Sequence, residues 1–207
     1  VSKTRADGIN YAIEKKFNFA VLDDGYQDLS IKKNLSIICF HGKQKIGNGH
    51  LIPSGPLREG LVALKNCQII LINGNKNLEF EQKLKKYNPK LDFFYYDYYS
   101  RNIENFKNKK LVAFAGIGNP ENFFDFLKAK HLNVVKEIDY PDHYQYSEKD
   151  LEDLNKLENL YKAKLITTEK DFLRINSFVR KKFDHIRIEL KLQDEEGFKN
   201  RIKKLIK

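Results

Sequence analysis

The chain is 207 residues long, 41% hydrophobic and 32% charged, with a formal net charge of +10. That length holds one large α/β domain or two small ones with a sizeable core. No apolar run approaches the ~20 residues that a membrane-spanning helix needs, and nothing at the N-terminus reads as a secretory signal. The positive balance invites an anionic partner: nucleic acid, a phosphorylated substrate or an acidic membrane surface. The excess, however, is mostly lysine in a sequence rich in Asn and Ile, a bias that an A+T-rich genome produces unaided. Charge alone therefore selects no function. Cys39 and Cys67 lie in or beside apolar runs and read as buried small hydrophobes in a reducing, cytosolic compartment.

Apolar runs alternate with helical patterns, which predicts an α/β fold with a mostly parallel sheet flanked by helices. Phe17–Leu22 reads as a buried strand ending at Asp23-Asp24. Leu35–Phe40 and Gln68–Ile72 are continuous and β-branched enough for strands buried on both faces. The aromatic run Phe93–Tyr99 reads as a strand whose alternate residues face opposite sides, which favours packing over stacking on bases. Residues 97–109 are polar and charged and are expected to link two lobes, 1–96 and a smaller 110–207. Leu111–Ala115 is a strand, followed by a Gly116–Pro120 turn into a helix with Pro120 near its first turn. A strand near Val134–Ile138 precedes Ser147, whose partner Asp150 three residues on predicts an N-cap for a helix through Leu151, Leu154 and Leu157. Lys164–Thr167 is a short strand ending at Thr168-Glu169-Lys170-Asp171, His185–Leu190 the last strand, and Glu195–Ile206 an amphipathic helix.

Two stretches carry chemistry. An apolar strand that ends in Asp23-Asp24-Gly25 is how phosphotransferases place a carboxylate beside the magnesium of a nucleotide. Mg²⁺ keeps most of its waters and takes one or two protein carboxylates, although Asp-Gly after a strand is also an ordinary turn. Gly47–Glu59 packs three glycines, two prolines and the pair Arg58-Glu59 into one loop. Such punctuation implies a shaped loop that brings backbone close to a ligand. Arg58 can grip a phosphate bidentately, and Glu59 can orient a metal-bound water or a base. A rigid surface loop with a solvated ion pair is the plainer alternative.

Asp23-Asp24-Gly25-Tyr26-Gln27 followed by Gly47–Glu59 resembles the tetraacyldisaccharide 4'-kinases, and the Arg5 segment upstream fits as well. Phe114–Pro120, Tyr140-Pro141-Asp142-His143 and Thr168–Asp171 agree in order and spacing, so the resemblance covers almost the whole chain. It implies a P-loop-kinase-like fold in two lobes, residues 1–96 being the C-terminal part of the nucleotide-binding core. It implies, further, transfer of the ATP γ-phosphate to the 4'-hydroxyl of a tetraacyl glucosamine disaccharide 1-phosphate, giving lipid IVA for the lipid A of Gram-negative bacteria. ATP and Mg²⁺ are the implied cofactors. Asp23 and Asp24 match the family's acidic pair at the metal, Arg58 and Glu59 its active-site Arg-Glu, and Gln27 is placed with Glu59 at the cofactor. His143 matches a histidine that pairs with an aspartate base to take the hydroxyl proton, a task suited to a carboxylate–imidazole dyad. Gly116–Pro120 and Thr168–Asp171 are assigned to the scaffold or to closure of the second lobe, and His50 is given no role. Many members carry a histidine where Asp28 stands here.

No Gly-x-x-x-x-Gly-Lys-Ser/Thr occurs, and the chain opens Val1-Ser2-Lys3 with no methionine anywhere. The expectation is a truncated chain, lacking roughly a hundred residues on family-length grounds and inactive by itself. The whole enzyme is expected to work peripherally at the cytoplasmic face of the inner membrane, without nucleic acid. Two rivals remain: another P-loop phosphotransferase or NTPase with a soluble substrate, and a non-catalytic basic α/β binding module.

Overall fold

The computed structural model describes residues 2–206. Contacts divide the chain into two compact units, one made of the residues up to Asp97 together with those from Leu192 onward, the other of Tyr98–Lys191. This differs from the expected lobes at both ends. The terminal helix belongs with the first unit, and the supposed linker is structured: a strand runs to Ser100, a 3-10 turn spans Ile103–Phe106, and Phe106 is buried in the second unit's core. Polar neighbours had masked that segment's apolar anchors, Phe106 and Ile103.

In the first unit, α1 (Arg5–Glu14) is capped by Thr4, whose side chain accepts from the Asp7 amide. Strands β1 (Ile37–Phe40), β2 (Ile69–Asn73) and β3 (Asp92–Ser100) pair in parallel, Ile37 with Ile69 and Ile69 with Asp92. The strand β8 (Ile188–Leu192), of which all but Leu192 falls in the second unit, completes the order β1-β2-β3-β8. Neither α1 nor α2 (Leu78–Lys85) was anticipated, although α2 carries a readable signature: Asn77 as N-cap, glutamates in the first turn, lysines in the last. Phe93 and Tyr95 of β3 join Phe80 and Leu84 of α2 in one cluster, whereas Phe94 meets Phe198 of α6 (Glu195–Leu205) edge-on at 5.1 Å. The two-residue period of a strand thus sends alternate aromatics to opposite covers, as expected for packing.

The predicted strand Phe17–Leu22 does not form. Phe17, Phe19 and Val21 are 66, 71 and 96% exposed, and the segment has no ladder partner among the described residues. Apolar content makes a strand only where neighbours take its backbone hydrogen bonds and layers cover its faces. Cys39 likewise proves exposed, while Cys67 is buried as expected.

The second unit holds β4 (Lys110–Ala115), α3 (Pro120–Ala129), β5 (Asn133–Asp139), α4 (Glu148–Tyr161), β6 (Lys164–Thr168), α5 (Glu169–Arg174) and β7 (Asp184–Ile186). The sheet order is β5-β4-β6-β7, parallel throughout. Leu111, Ala113 and Ala115 pack with Phe123, Phe124 and Leu127 of α3, while Val112 and Phe114 pack with Leu151 and Leu154 of α4. Ser147 and Asp150 form the full capping box at the start of α4. The expected single strand His185–Leu190 is instead two, β7 and β8, in different sheets. Asn102 marks the break: its side chain donates to the His185 carbonyl at 2.8 Å and accepts from the Arg187 amide at 3.1 Å.

Candidate active site

Asp23 and Asp24 lie in a turn after the exposed Phe17–Leu22 segment, so the expectation that a strand would present them is not met. Arg5 supports the turn from α1. Its guanidinium donates to the Asp28 carboxylate at 3.1 Å and to the Asp23 and Asp24 carbonyls at 3.3 and 3.1 Å. Hydrogen bonds from Ser30, side chain first and then backbone, followed by Arg5, hold the Asp28 carboxyl down at about 2. Asp28 is here a brace for the turn.

Arg58 reaches the same turn from the glycine–proline loop. Its Nη1 lies 2.6 Å from both Asp24 carboxylate oxygens, across 34 residues of sequence. The hydrogen bond and then the charge of Arg58 lower the Asp24 carboxyl below its ordinary value. Asp24 takes a left-handed backbone, φ 48°, a region that aspartate enters more readily than most residues. The loop that aims Arg58 is tightly made. Asn48 donates to the Ser54 carbonyl at 2.7 Å, Ile52 N–H to Leu57 at 2.8 Å, and Leu57 N–H to His50 at 3.2 Å. A Cβ at Gly55 would sit 2.2 Å from Asn48 Oδ1 and 2.4 Å from the His50 carbonyl oxygen, so only glycine fits there. His50 is thus engaged through its backbone, and its side chain is exposed.

The Asp23 carboxylate and the Gln27 amide are exposed and make no hydrogen bond among the described residues. Glu59 is partly buried near Tyr26, whose hydroxyl donates to the Ala63 carbonyl. Burial, then the Cys67 and Glu59 charges, push that phenol up to about 12. Among the described residues no three His, Cys, Asp or Glu side chains form a metal-binding group. The oxygen donors of Asp23 and Asp24 still suit Mg²⁺, which draws most of its ligands from water and phosphate.

The second unit gathers the three later motifs at the carboxyl ends of adjacent parallel strands: Gly116 after β4, Pro141–His143 after β5 and Thr168–Asp171 at the end of β6. Such rims are where open α/β sheets bind ligands. Asp171 is fully buried and accepts from the Gly116 amide at 3.1 Å and the Thr168 hydroxyl at 2.7 Å. Thr168 also caps α5 through the Asp171 amide, as the capping reading expected. His143 is largely exposed with φ 60°, and its amide bonds the Gly116 carbonyl at 3.2 Å and Asp142 Oδ1 at 2.9 Å. Its Nε2 stands 3.8 Å from Asp142 Oδ2, beyond hydrogen-bond reach. Sequence reading missed Arg174, whose signal was its position three residues after Asp171 on a short helix.

The profile of the family described as tetraacyldisaccharide-1-P 4'-kinase matches residues 1–207. Among curated relatives, the tetraacyldisaccharide 4'-kinase of Pelagibacter ubique is 37% identical over 204 residues, 97% of this chain and 65% of the relative. The Rickettsia bellii enzyme of the same name is 39% identical over 163 residues, covering 78% of this chain and 50% of its own length. A crystal structure titled as the "apo" form of LpxK from Aquifex aeolicus in complex with ATP shares the fold, with TM-score 0.64 and 22% identity. It covers 98% of this chain and 62% of that one. The chain therefore spans less than two-thirds of the length of these relatives. With the motifs in order from Arg5 to Asp171 and a profile match from end to end, the chain belongs to the tetraacyldisaccharide-1-P 4'-kinase family.

Proposed function

We propose that the protein carrying this chain transfers the γ-phosphoryl group of ATP to the 4'-hydroxyl of a tetraacyl glucosamine disaccharide 1-phosphate, giving lipid IVA. The observation that supports this best is the Asp24–Arg58 pair beside the unengaged Asp23 carboxylate. Phosphoryl transfer needs little covalent help from protein; positioning and charge neutralisation dominate. Asp23 and Asp24 are the residues that would hold magnesium, which when bound neutralises phosphate charge. Arg58, kept in place by Asp24 and its braced loop, offers a planar fork of donors that suits a phosphate oxygen pair. Glu59 and Gln27 are assigned to the cofactor side. His143 is assigned to the acceptor side, where its imidazole helps hold the proton that leaves the 4'-hydroxyl.

The acyl chains of the substrate call for work at a membrane surface, and we assign the protein a peripheral place on the cytoplasmic face of the inner membrane. No helix among the described residues is long and apolar enough to cross one. Basic residues favour anionic lipid headgroups at such a surface. The test is transfer of labelled γ-phosphate from ATP onto the tetraacyl disaccharide 1-phosphate, run beside soluble sugar and nucleoside acceptors. Label entering only the lipid supports the reading; label entering soluble acceptors equally well rejects it.

A further inference from the structure

Arg174 is bound on three sides. Its Nη1 donates to the Gly116 carbonyl at 2.7 Å and lies 3.3 Å from Asp171 Oδ1, while its Nη2 stands 3.1 Å from Nδ1 of His143. The Arg174 side chain is only 18% exposed and Asp171 is fully buried, so the guanidinium has a fixed anchor. The Gly116 carbonyl that receives Arg174 also receives the His143 amide. One peptide group thereby ties the histidine backbone to the arginine that meets its ring. Gly116 is closely surrounded, because a Cβ there would lie 3.0 Å from Tyr144 Cβ, 3.1 Å from the Tyr146 hydroxyl and 3.2 Å from Asp171 Oδ1, each tighter than ordinary contact.

A guanidinium carries five donors and no acceptor. Nδ1 of His143 must therefore offer its lone pair to Arg174, and the ring proton of the neutral imidazole must sit on Nε2. We propose that Arg174, braced by Asp171 and Gly116, is a positioning residue that locks His143 as the Nε2–H tautomer with its ring in one orientation. The inference rests on the reading above only for what the histidine then does; the lock itself is a property of the second unit. It gives Thr168–Asp171 and Gly116 a task beyond capping, since they build the buried seat from which Arg174 reaches out. A histidine in a left-handed turn with an exposed ring would otherwise sample both tautomers and several rotamers.

Nitrogen NMR of the histidine ring, recorded above neutral pH on wild-type protein and on Arg174→Lys, reads the tautomer directly. Lysine keeps the positive charge beside Asp171 but cannot span both the Gly116 carbonyl and the imidazole. The wild-type His143 signals should be those of a single Nε2–H form, and in Arg174→Lys they should move toward the averaged values of an unrestrained histidine. Unchanged signals in the variant, or a wild-type ring protonated on Nδ1, overturn the proposal. Amide spectra of β4 and β6 in the same samples show whether the fold is intact, and Arg174→Gln provides a second variant if the lysine form unfolds. Turnover separates the two layers: a kcat lower by about tenfold with KM held is expected for a mispositioned acid–base group. Moved ring signals with normal turnover would uphold the lock and reject the role assigned to His143.

Discussion

Two turns of this molecule hold acidic residues against arginines, and they do so in opposite ways. The Asp23–Asp28 turn of the first unit is open: Asp24 and Arg58 side chains are 63 and 58% exposed, and the segment that leads into the turn has no strand to stand on. The Gly116–Asp171–Arg174 cluster of the second unit is closed, with a fully buried carboxylate seated on the ends of paired strands. An exposed ion pair gains little because water competes for both partners. A buried one is expensive to break, because the survivor is left without solvent or partner. The first turn is thus free to exchange its protein contacts for a ligand, and the second is built to keep them. That division suits a phosphate-binding surface in one unit and a rigid holder for His143 in the other.

Breaking the closed cluster should have the largest effect on stability. Asp171→Ala leaves the Gly116 amide and the Thr168 hydroxyl without their acceptor and Arg174 without its carboxylate, and should cost the second unit about 3–5 kcal/mol. Hydrogen exchange of the β4 and β6 amides checks this, because it reports on that unit alone. Gly116→Ala should cost about 1–3 kcal/mol, since the added methyl must displace Tyr144 or Asp171. The same exchange measurement should then show loss of protection centred on the β4 and β6 ends.

These two effects were only partly legible in the sequence. The capping box of Ser147 and Asp150 and the helix entry at Pro120 were readable because the partners lie three residues apart or fewer. The alternation of β3 was readable because a strand repeats every two residues. The bond from Asp171 to Gly116 spans 55 residues, and that from Arg174 to His143 spans 31; nothing local announces either. The reverse error occurred at Phe17–Leu22, where local pattern was strong and tertiary partners were lacking. His185–Leu190 failed for a related reason, since the side chain that divides it, Asn102, comes from 83 residues earlier.

Opening the exposed turn should change stability far less. Arg58→Ala and Asp24→Ala should leave the unfolding midpoint close to that of wild type, as judged by thermal melting, because both groups remain solvated when unpaired. Acid should sharpen the same contrast. Asp24 and Asp28 have folded-state values below those of an unfolded chain, so their contribution is present above about pH 4 and is lost as pH falls through those lowered values, about 2 for Asp28. Amide signals of residues 23–30 should shift across that window while β4 and β6 stay protected. Simultaneous loss of both regions would mean that the two turns are not as different as their burial indicates.

The most direct test of the account is the turnover of Asp24→Asn, measured as labelled phosphate passed from ATP to the tetraacyl disaccharide 1-phosphate by otherwise complete protein. Asparagine keeps the shape and removes the charge that would serve both Arg58 and magnesium. A fall in kcat of about a hundredfold or more, with an unaltered melting curve, is the predicted result. Turnover close to that of wild type would contradict it and take the Asp23–Asp24 turn out of the phosphate site.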